Sequence, residues 1–383
     1  MTHIEAAALD QLHLRKSAKW RAFPADVLPL PVAEMDFPLA EPIARVLHDM
    51  IDASDTGYGG FIPELGEAFA EYALRHWSWQ VDPAHLRLAT DVGVAGVEVL
   101  RLVTAPGDRV VVNSPVYHNF YTWIGEAGCV LDDVPLRYAG DGVWDLDFAG
   151  LEAAFAAGAK AYILCNPHNP VGTVFCEEHL VQVADLAERY GVTVISDEIH
   201  APLNYTSTPF MPYLNVNDTA RRNGVCVTSA SKSWNLAGLK CAQVVTADEG
   251  MRQRLDALPI SMPWRASMLG GWASVAAYRD GQPWLDEVMT TLSDHRDYLA
   301  TAIPQALPRA VYHKPESTYL AWIDLRGYGI EDPAKALLDK GRIAVHEGRE
   351  FGPDGAGFVR LNFATSRSII DEALARMAGV LEA

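Results

Sequence analysis

Short apolar runs alternate with amphipathic stretches from about residue 62 to residue 270. The runs are rich in β-branched residues and are predicted to be strands: Arg109–Asn113, Ala161–Cys165, Val192–Ser196, Val225–Thr228 and Cys241–Thr246. Stretches with helical spacing, such as Glu178–Tyr190, lie between them. This alternation predicts an α/β fold with a mostly parallel sheet flanked by helices.

The pattern changes on both sides of this region. Residues 41–53 are predicted to form a helix after a proline-containing start, and glycines around Tyr58 then break the chain. From about residue 285 a long helix is predicted, followed by strands at Tyr319–Leu325, Ile343–His346 and Phe358–Phe363. The C-terminal part is therefore expected to be a small α+β unit.

Length and composition narrow the class of protein. A chain of 383 residues, 49% of them hydrophobic, suggests two domains. Its net charge of −18, from 31 basic and 49 acidic residues, argues against nucleic acids or anionic membranes as partners. Five scattered cysteines without C-x-x-C spacing suggest a reducing compartment. Without an apolar run of about 18 residues or a signal peptide, the chain is expected to be soluble and cytoplasmic.

Lys232 is the residue most suggestive of chemistry. It follows the apolar run Gly224–Val227, with small hydroxylated residues on its N-terminal side in Thr228-Ser229-Ala230-Ser231. An amine among dipoles at a strand end can lose its proton and form a Schiff base with an aldehyde cofactor. A lysine that extends from a loop into solvent is the plainer alternative.

Two further polar segments follow predicted strands. Asn166–Gly172 forces a turn after Ala161–Cys165, and the amide of Asn169 could donate to a phenolate-like oxygen, unless the segment is an ordinary loop. Asp197 ends the next strand, where a buried carboxylate needs a cationic partner such as a protonated pyridine nitrogen. A metal site at Asp197, Glu198 and His200 is an alternative, although no further cluster has matching spacing.

Arg360 interrupts the apolar run Gly357–Ala364 near the C-terminus. Its planar guanidinium suits a substrate α-carboxylate, which it can bind through two parallel hydrogen bonds. An arginine on an edge strand that faces solvent is the ordinary alternative.

These four segments, in this order, resemble the pyridoxal-phosphate enzymes of the aspartate aminotransferase fold, known as fold type I. The resemblance runs through nearly the whole chain. Within that superfamily the chain is most similar to the MalY/PatB-type cystathionine β-lyases, in the segments Val32–Phe37, Ser196–His200, Asp280–Asp286 and Ser317–Arg326. The resemblance implies a large domain with a seven-stranded sheet at residues 46–284. It also implies a small domain built from residues 1–45 and 285–383.

The resemblance also implies a binding site for pyridoxal 5'-phosphate. Lys232 would hold the aldehyde, Asp197 the ring nitrogen and Asn169 the ring oxygen. The other implied cofactor contacts are the Tyr117 ring, His200, the amides of Val94 and Ala95, Ser229, Lys240 and, from a second subunit, Tyr58. Arg360 would bind the carboxylate of a small amino-acid substrate, and the enzyme would be a homodimer with shared active sites.

Several of these residues have other readings. Val94 and Ala95 could mark an ordinary helix start, Tyr117 a packed core, and Tyr58 a residue that only packs between subunits. Lys240 stands where aminotransferases commonly have arginine. His200 stands where they have tyrosine, which leaves Asn169 as the more secure partner of the ring oxygen.

Three functions fit the resemblance. The first is a carbon–sulfur β-lyase that cleaves cystathionine or another cysteine S-conjugate to a thiol, pyruvate and ammonia. The second is an aminotransferase of class I or II. The third, a non-catalytic protein of this fold such as a sensing domain, is disfavoured by the complete set of Lys232, Asp197, Asn169 and Arg360.

Overall fold

A computed structural model describes residues 3–382 of the chain. Within them the strands are β1 Leu28–Pro29, β2 Leu86–Ala89, β3 Arg109–Val112, β4 Val130–Asp133, β5 Arg137–Tyr138, β6 Trp144–Asp145, β7 Ala161–Cys165, β8 Thr193–Asp197, β9 Gly224–Thr228, β10 Ala242–Val245, β11 Val311–Tyr312, β12 Leu320–Asp324, β13 Ile343–Ala344, β14 His346–Glu347 and β15 Phe358–Asn362.

The α-helices of the same residues are α1 Leu9–Leu12, α2 Ala18–Arg21, α3 Glu41–Asp52, α4 Pro63–Trp77, α5 Val92–Val103, α6 Asn119–Glu126, α7 Phe148–Ala156, α8 Glu177–Tyr190, α9 Asp218–Asn223, α10 Glu249–Leu255, α11 Ser261–Trp264, α12 Met268–Asp280, α13 Gln282–Ala306, α14 Pro333–Gly341 and α15 Arg367–Leu381.

The large sheet has seven strands in the order β2-β10-β9-β8-β7-β3-β4. Only β10 runs against its neighbours, since it pairs antiparallel with both β9 and β2 while the other pairs are parallel. Its strands β7 and β9 are buried along their whole length, as expected of a sheet covered on both faces. The predicted α/β class and seven-stranded sheet are therefore confirmed.

A second sheet, in the order β11-β12-β15-β14, is formed by the C-terminal part of the chain. The predicted strand at Ile343–His346 is divided into two, because β13 pairs with β1 of the N-terminal segment whereas β14 pairs with β15. The two ends of the chain thus meet through β1 and β13.

The helices next to the predicted domain boundaries continue across them. Residue 45 lies inside α3, which packs on α12, and residue 284 lies inside α13. The division at these residues stays a prediction. No helix of residues 3–382 is both long and apolar enough to cross a bilayer.

Candidate functional site

The carboxyl ends of β7, β8 and β9 bring the main candidate residues together. In the parallel pairing, Cys165 lies opposite Asp197 and Asp197 opposite Val227, so the loops after these strands leave the same edge of the sheet. Open α/β sheets bind ligands at this edge. A cavity of about 830 Å³ opens there, and the lining includes Lys232, Asp197, Asn169, Tyr117, His200, Lys240 and Arg360.

Lys232 is only partly exposed and its amine lies inside the cavity. Nζ donates to the carbonyl oxygen of Ala33 over 3.0 Å, and the hydroxyl of Tyr319 donates to the same oxygen over 3.1 Å. Burial, followed by the positive charge of Arg360, lowers the pKa of Lys232 to about 8. The amine is therefore able to lose its proton near neutral pH.

Asp197 is a buried carboxylate at the end of β8. Its Oδ1 accepts from the amide of Ile199 over 3.1 Å, and it forms no ion pair with any residue that the structure describes. Burial raises the pKa of Asp197 to about 7. The carboxylate thus lacks the close cationic partner that a buried charge requires.

Arg360 and Asn169 are joined by a hydrogen bond. Nη1 of Arg360 donates to Oδ1 of Asn169 over 2.8 Å, and Nη2 donates to the carbonyl of Pro31 over 2.8 Å. Because the Asn169 oxygen is engaged, its NH₂ group is left to donate elsewhere. Burial lowers the pKa of Arg360 to about 10, so the guanidinium remains a cation at neutral pH.

Tyr117 and His200 supply rings to the same cavity. Asn119 donates to the hydroxyl of Tyr117 over 2.6 Å, and burial raises the pKa of that phenol. His200 is buried, and its Nδ1 finds no hydrogen-bond partner within residues 3–382. Burial, with the charges of Lys232 and Arg360, holds the pKa of His200 well below its usual range, so the ring is neutral.

The start of α5 engages the amides of Val94 and Ala95, the two phosphate donors expected from the sequence. Asp91 caps the helix and its Oδ1 accepts from the amide of Val94 over 2.8 Å, while the amide of Ala95 donates to the Asp91 carbonyl over 3.0 Å. Both amides named from the sequence therefore already have acceptors. Val92 and Gly93, the first two helical residues, line the cavity, and the assignment of Val94 and Ala95 to the phosphate stays a prediction.

Ser229 is also directed elsewhere. Its hydroxyl donates to the carbonyl of Cys241 over 2.6 Å and accepts from the amide of Ser231. Ser231, rather than Ser229, lines the cavity. Lys240 also lines it and forms an exposed ion pair with Asp91, with 3.0 Å between Nζ and Oδ2. The cation is thus in place at the helix start, but it already has a carboxylate partner.

Two other predictions concern Tyr58 and a metal site at Asp197, Glu198 and His200. Tyr58 is 86% exposed and is not part of the cavity lining. Glu198 turns away from Asp197, since its Oε1 accepts from Ser196 and from the amide of Tyr213. In the described chain Asp197, Glu198 and His200 do not form a group able to hold a metal.

The segment Pro31–Phe37 contributes in a way that sequence reasoning missed. Its carbonyls accept from two of the cationic side chains of the cavity, Lys232 and Arg360, and from Asn362, which donates to the carbonyls of Val32 and Glu34. Nearby, Asp36 forms a buried ion pair with Lys19, with Nζ and Oδ2 2.7 Å apart. Contacts of this kind could not be predicted from the sequence, because any residue type can provide a backbone carbonyl.

The cavity fits pyridoxal phosphate on three points. Asp197 is a buried anion that a protonated ring nitrogen would neutralise. Lys232 has an amine that is easily deprotonated, as a bond to an aldehyde requires. The start of α5 together with Lys240 offers amides and a cation to a phosphate.

Comparison with known proteins agrees with this arrangement. The family described as "Aminotransferase class I and II" matches residues 25–377. The cystathionine beta-lyase of Corynebacterium glutamicum is 35% identical, over 97% of this chain and 99% of its own. The cystathionine beta-lyase PatB of Bacillus subtilis is 32% identical, over 93% of each chain.

A solved structure shows the same fold with the cofactor present. Cystalysin from Treponema denticola, whose crystal structure contains pyridoxal 5'-phosphate, superposes with a TM-score of 0.91 at 25% identity, over 100% of this chain and 99% of its own. From the sequence match and the shared fold, the chain belongs to the aminotransferase class I and II family of fold type I enzymes.

Proposed function

We propose that this protein is a pyridoxal-phosphate-dependent carbon–sulfur β-lyase that acts on cystathionine or a related cysteine thioether. The observation that carries the chemistry is the placement of the Lys232 amine in one cavity with Asp197, Asn169 and Arg360. Relatives named cystathionine beta-lyase along the full chain favour carbon–sulfur cleavage over transamination.

The residues of the cavity would each have a separate role in the reaction. Pyridoxal phosphate, when bound, supplies an aldehyde for the substrate amine and a ring that draws electrons from the α-carbon. Asp197 would hold the ring nitrogen protonated, and the Asn169 NH₂ group would donate to the ring oxygen. Arg360 would bind the substrate carboxylate and so orient the α-hydrogen.

Lys232 would act as the base. Its neutral amine can accept the α-proton, because its lowered pKa leaves part of the population unprotonated near neutral pH. The Ala33 carbonyl, which accepts from Nζ in this structure, gives the amine a fixed position when it is not bonded to the cofactor. Loss of the thiolate from the β-carbon would give aminoacrylate, which after release is hydrolysed by water to pyruvate and ammonia.

The outer part of the cavity supports a substrate with a distal ammonium group. Four carboxylates line it alongside a single lysine from the same region, namely Asp332, Asp339, Glu347, Glu350 and Lys335. Such a lining would repel the second carboxylate of 2-oxoglutarate, a common amino-group acceptor. At its distal end cystathionine carries an ammonium beside its second carboxylate, so that end has no net charge and its ammonium can face the lining.

The test is to incubate the holoenzyme with cystathionine in the absence of any keto acid. We expect many turnovers, with equal amounts of pyruvate and free thiol, and none from Lys232→Ala. Elimination restores the aldehyde in every cycle, whereas transamination leaves the cofactor as an amine. A single turnover that 2-oxoglutarate or pyruvate restarts would show that the enzyme is an aminotransferase.

We also propose a homodimer in which Tyr58 reaches the active site of the partner subunit. Tyr58 and three nearby apolar side chains, Phe61, Ile260 and Trp264, are strongly exposed in the single chain. Phe61 and Ile260 line one surface pocket, and Gly60 lies against the Trp264 ring. An exposed apolar surface of this kind marks a protein interface.

A cytoplasmic location is proposed as well. All five cysteines are unpaired, at positions 129, 165, 176, 226 and 241. Unpaired thiols are characteristic of proteins in reducing compartments.

A further inference from the structure

His346 lies opposite Arg360 in the small sheet, because β14 and β15 pair antiparallel with these two residues in register. Residues paired in this way project from the same face of a sheet. Nη2 of Arg360 lies 3.0 Å from Nδ1 of His346, and Nε2 of His346 lies 3.0 Å from Oε2 of Glu350. A guanidinium can only donate, so Nδ1 accepts and Nε2 carries the proton that Glu350 accepts.

This tautomer bears on the neighbouring group of possible metal ligands. His118, His346 and Glu350 have ligand atoms within 4.8 Å of one another. Because Nε2 of His346 carries a proton and Nδ1 is occupied by a cation, His346 has no lone pair to offer a metal. The arrangement of these three residues is therefore explained by the hydrogen bond between His346 and Arg360 rather than by a metal.

Three of the five N–H hydrogens of the Arg360 guanidinium are engaged. Both Nη2 hydrogens are engaged, one by His346 and one by the Pro31 carbonyl, and one Nη1 hydrogen is engaged by Asn169. A carboxylate that binds through two parallel hydrogen bonds uses Nη2 together with either Nε or Nη1. It therefore needs one Nη2 hydrogen that is already bonded, while Nε is buried with no acceptor in the described chain.

Of the two acceptors on Nη2, His346 is the one able to leave. The Pro31 carbonyl belongs to a backbone segment whose next carbonyls, at Val32 and Glu34, are held by Asn362. His346 instead offers a side chain on a strand of only two residues, and Glu350 provides an alternative partner at its other nitrogen.

We propose that Nδ1 of His346 takes the place of one carboxylate oxygen on Arg360 in the free enzyme, and that substrate binding displaces it. His346 is then a positioning residue that exchanges with the substrate. The inference rests on the proposed function in one respect only, the assignment of Arg360 to a substrate carboxylate.

Displacement of His346 from Arg360 would change the affinity of His346 for a proton. Its charged and titratable neighbours are Arg360 on β15, Glu350 beyond β14, and His118 before α6, whose ring centroid lies 4.8 Å from its own. From α14, Asp332, Lys335 and Asp339 line the outer part of the same cavity.

Burial and then the charge of Arg360 lower the pKa of His346, while Glu350 raises it. Once His346 leaves Arg360 and keeps Glu350, its pKa must rise. Binding of a carboxylate is thus coupled to uptake of a proton, so carboxylate affinity increases as pH falls. The His118 ring stays neutral throughout, since burial and the neighbouring His346 and Arg360 lower its pKa to about 4.

The experiment uses the holoenzyme and two probes that lack an amine and cannot bond to the cofactor. One is 3-(methylsulfanyl)propanoate, which has the carboxylate, and the other is its carboxamide. Isothermal titration calorimetry in buffers of different ionisation enthalpy counts the protons taken up. For the wild type we expect partial uptake near pH 6.5 and a Kd about tenfold lower at pH 6 than at pH 8 for the carboxylate alone.

Two variants of His346 separate its role as a hydrogen-bond acceptor for Arg360 from its ability to take up a proton. His346→Asn keeps an oxygen close to the Nδ1 position but cannot titrate, so it loses the proton uptake and keeps the wild-type Kd at pH 8. His346→Leu loses both, so it shows no uptake and binds the carboxylate at least as tightly as the wild type at pH 8, because nothing has to be displaced.

Equal proton uptake by the wild type and His346→Leu overturns the inference. So does a His346→Leu enzyme that binds the carboxylate tenfold more weakly at pH 8, since His346 would then support binding. Cystathionine cleavage is a separate measurement. An enzyme that shows the uptake but releases no thiol retains this inference and rejects the lyase, and one that cleaves cystathionine without the uptake does the reverse.

Discussion

At the scale of single residues, burial disfavours the charged forms of Asp197 and Lys232. Burial raises the pKa of Asp197 to about 7 and, with Arg360, lowers that of Lys232 to about 8. Each shift measures how poorly the cavity stabilises the charged form without a partner. Both costs disappear when a cationic ring nitrogen faces Asp197 and the Lys232 amine is bonded.

The pKa of Asp197 predicts how the stability of the cofactor-free protein depends on pH. Its usual value of 3.8 applies to the unfolded chain, so between about pH 4 and pH 7 the folded state binds more protons than the unfolded state. The free energy of unfolding therefore falls as pH rises through this window, by about 1.4 kcal/mol for each unit of pKa difference. Asp197→Asn cannot titrate and should lose this fall.

Urea unfolding of the cofactor-free proteins at pH 5 and pH 7 tests this. We expect Asp197→Asn to gain stability relative to the wild type as pH rises, and Asp49→Asn, an exposed carboxylate on α3, to follow the wild type. Added pyridoxal phosphate should reverse the order, because only the wild type has a carboxylate for the ring nitrogen. Parallel curves for Asp197→Asn and wild type would show that Asp197 is not buried as an anion.

The sequence revealed the residues whose charge conflicts with their surroundings. Lys232, Asp197 and Arg360 each follow or interrupt an apolar run, and the structure places all three in one cavity. The contact between the Ala33 carbonyl and Lys232 could not be predicted, because any residue type can provide a backbone carbonyl. The contact between His346 and Arg360 could not be predicted either, because it depends on the register of two strands.

At the scale of elements, the helix start that faces the cavity is fixed by its packing. Gly96 on α5 lies under the ring of Trp123 on α6, and a Cβ at Gly96 would approach that ring to 2.5 Å. Trp123 also lines the cavity. The contact therefore sets how closely the two helices approach beside the proposed phosphate site.

Gly96→Ala should destabilise the protein despite the better helix propensity of alanine. The propensity gain is about 1 kcal/mol, whereas an extra methyl in a packed contact costs about 1–3 kcal/mol and would push Trp123 into the cavity. We expect a lower melting temperature and weaker binding of pyridoxal phosphate. Gly125→Ala on α6 is the control, since no atom lies within 4 Å of its Cβ position. Equal stability of the two variants would contradict the packing argument.

Strand and helix types were predicted well from periodicity, but the pairing of the strands was not predicted. The predicted strand Ala161–Cys165 is confirmed to the residue, whereas Ile343–His346 is divided between two sheets. Asp91 caps α5, and an aspartate before an apolar helical run is a usual N-cap, so this contact could have been predicted from the sequence. That signal would have shown that the amide of Val94 has an acceptor within the chain, while the assignment of Val94 and Ala95 to the phosphate stays a prediction.

At the scale of the whole molecule, the described chain does not provide in its own cavity every contact expected for the phosphate of the cofactor. Lys240 is exposed and is paired with Asp91, so a phosphate would face a carboxylate as well as a cation. Tyr58, which the family resemblance assigns to the phosphate of a neighbouring subunit, is exposed and is not among the residues that line this chain's own cavity. Two chains would together supply what one does not.

Hybrid dimers test whether the active site is shared between subunits. We expect Tyr58→Ala to raise the Kd for pyridoxal phosphate about tenfold, by loss of one hydrogen bond to a charged group, and Lys232→Ala to be inactive. In a hybrid of the two, one site combines Lys232 of the first chain with Tyr58 of the second. That site is intact, so half of the wild-type activity should return at cofactor concentrations where Tyr58→Ala alone is mostly empty. If Tyr58 acted within its own chain, or only packed between subunits, the Lys232→Ala partner would leave the cofactor affinity of the Tyr58→Ala chain unchanged.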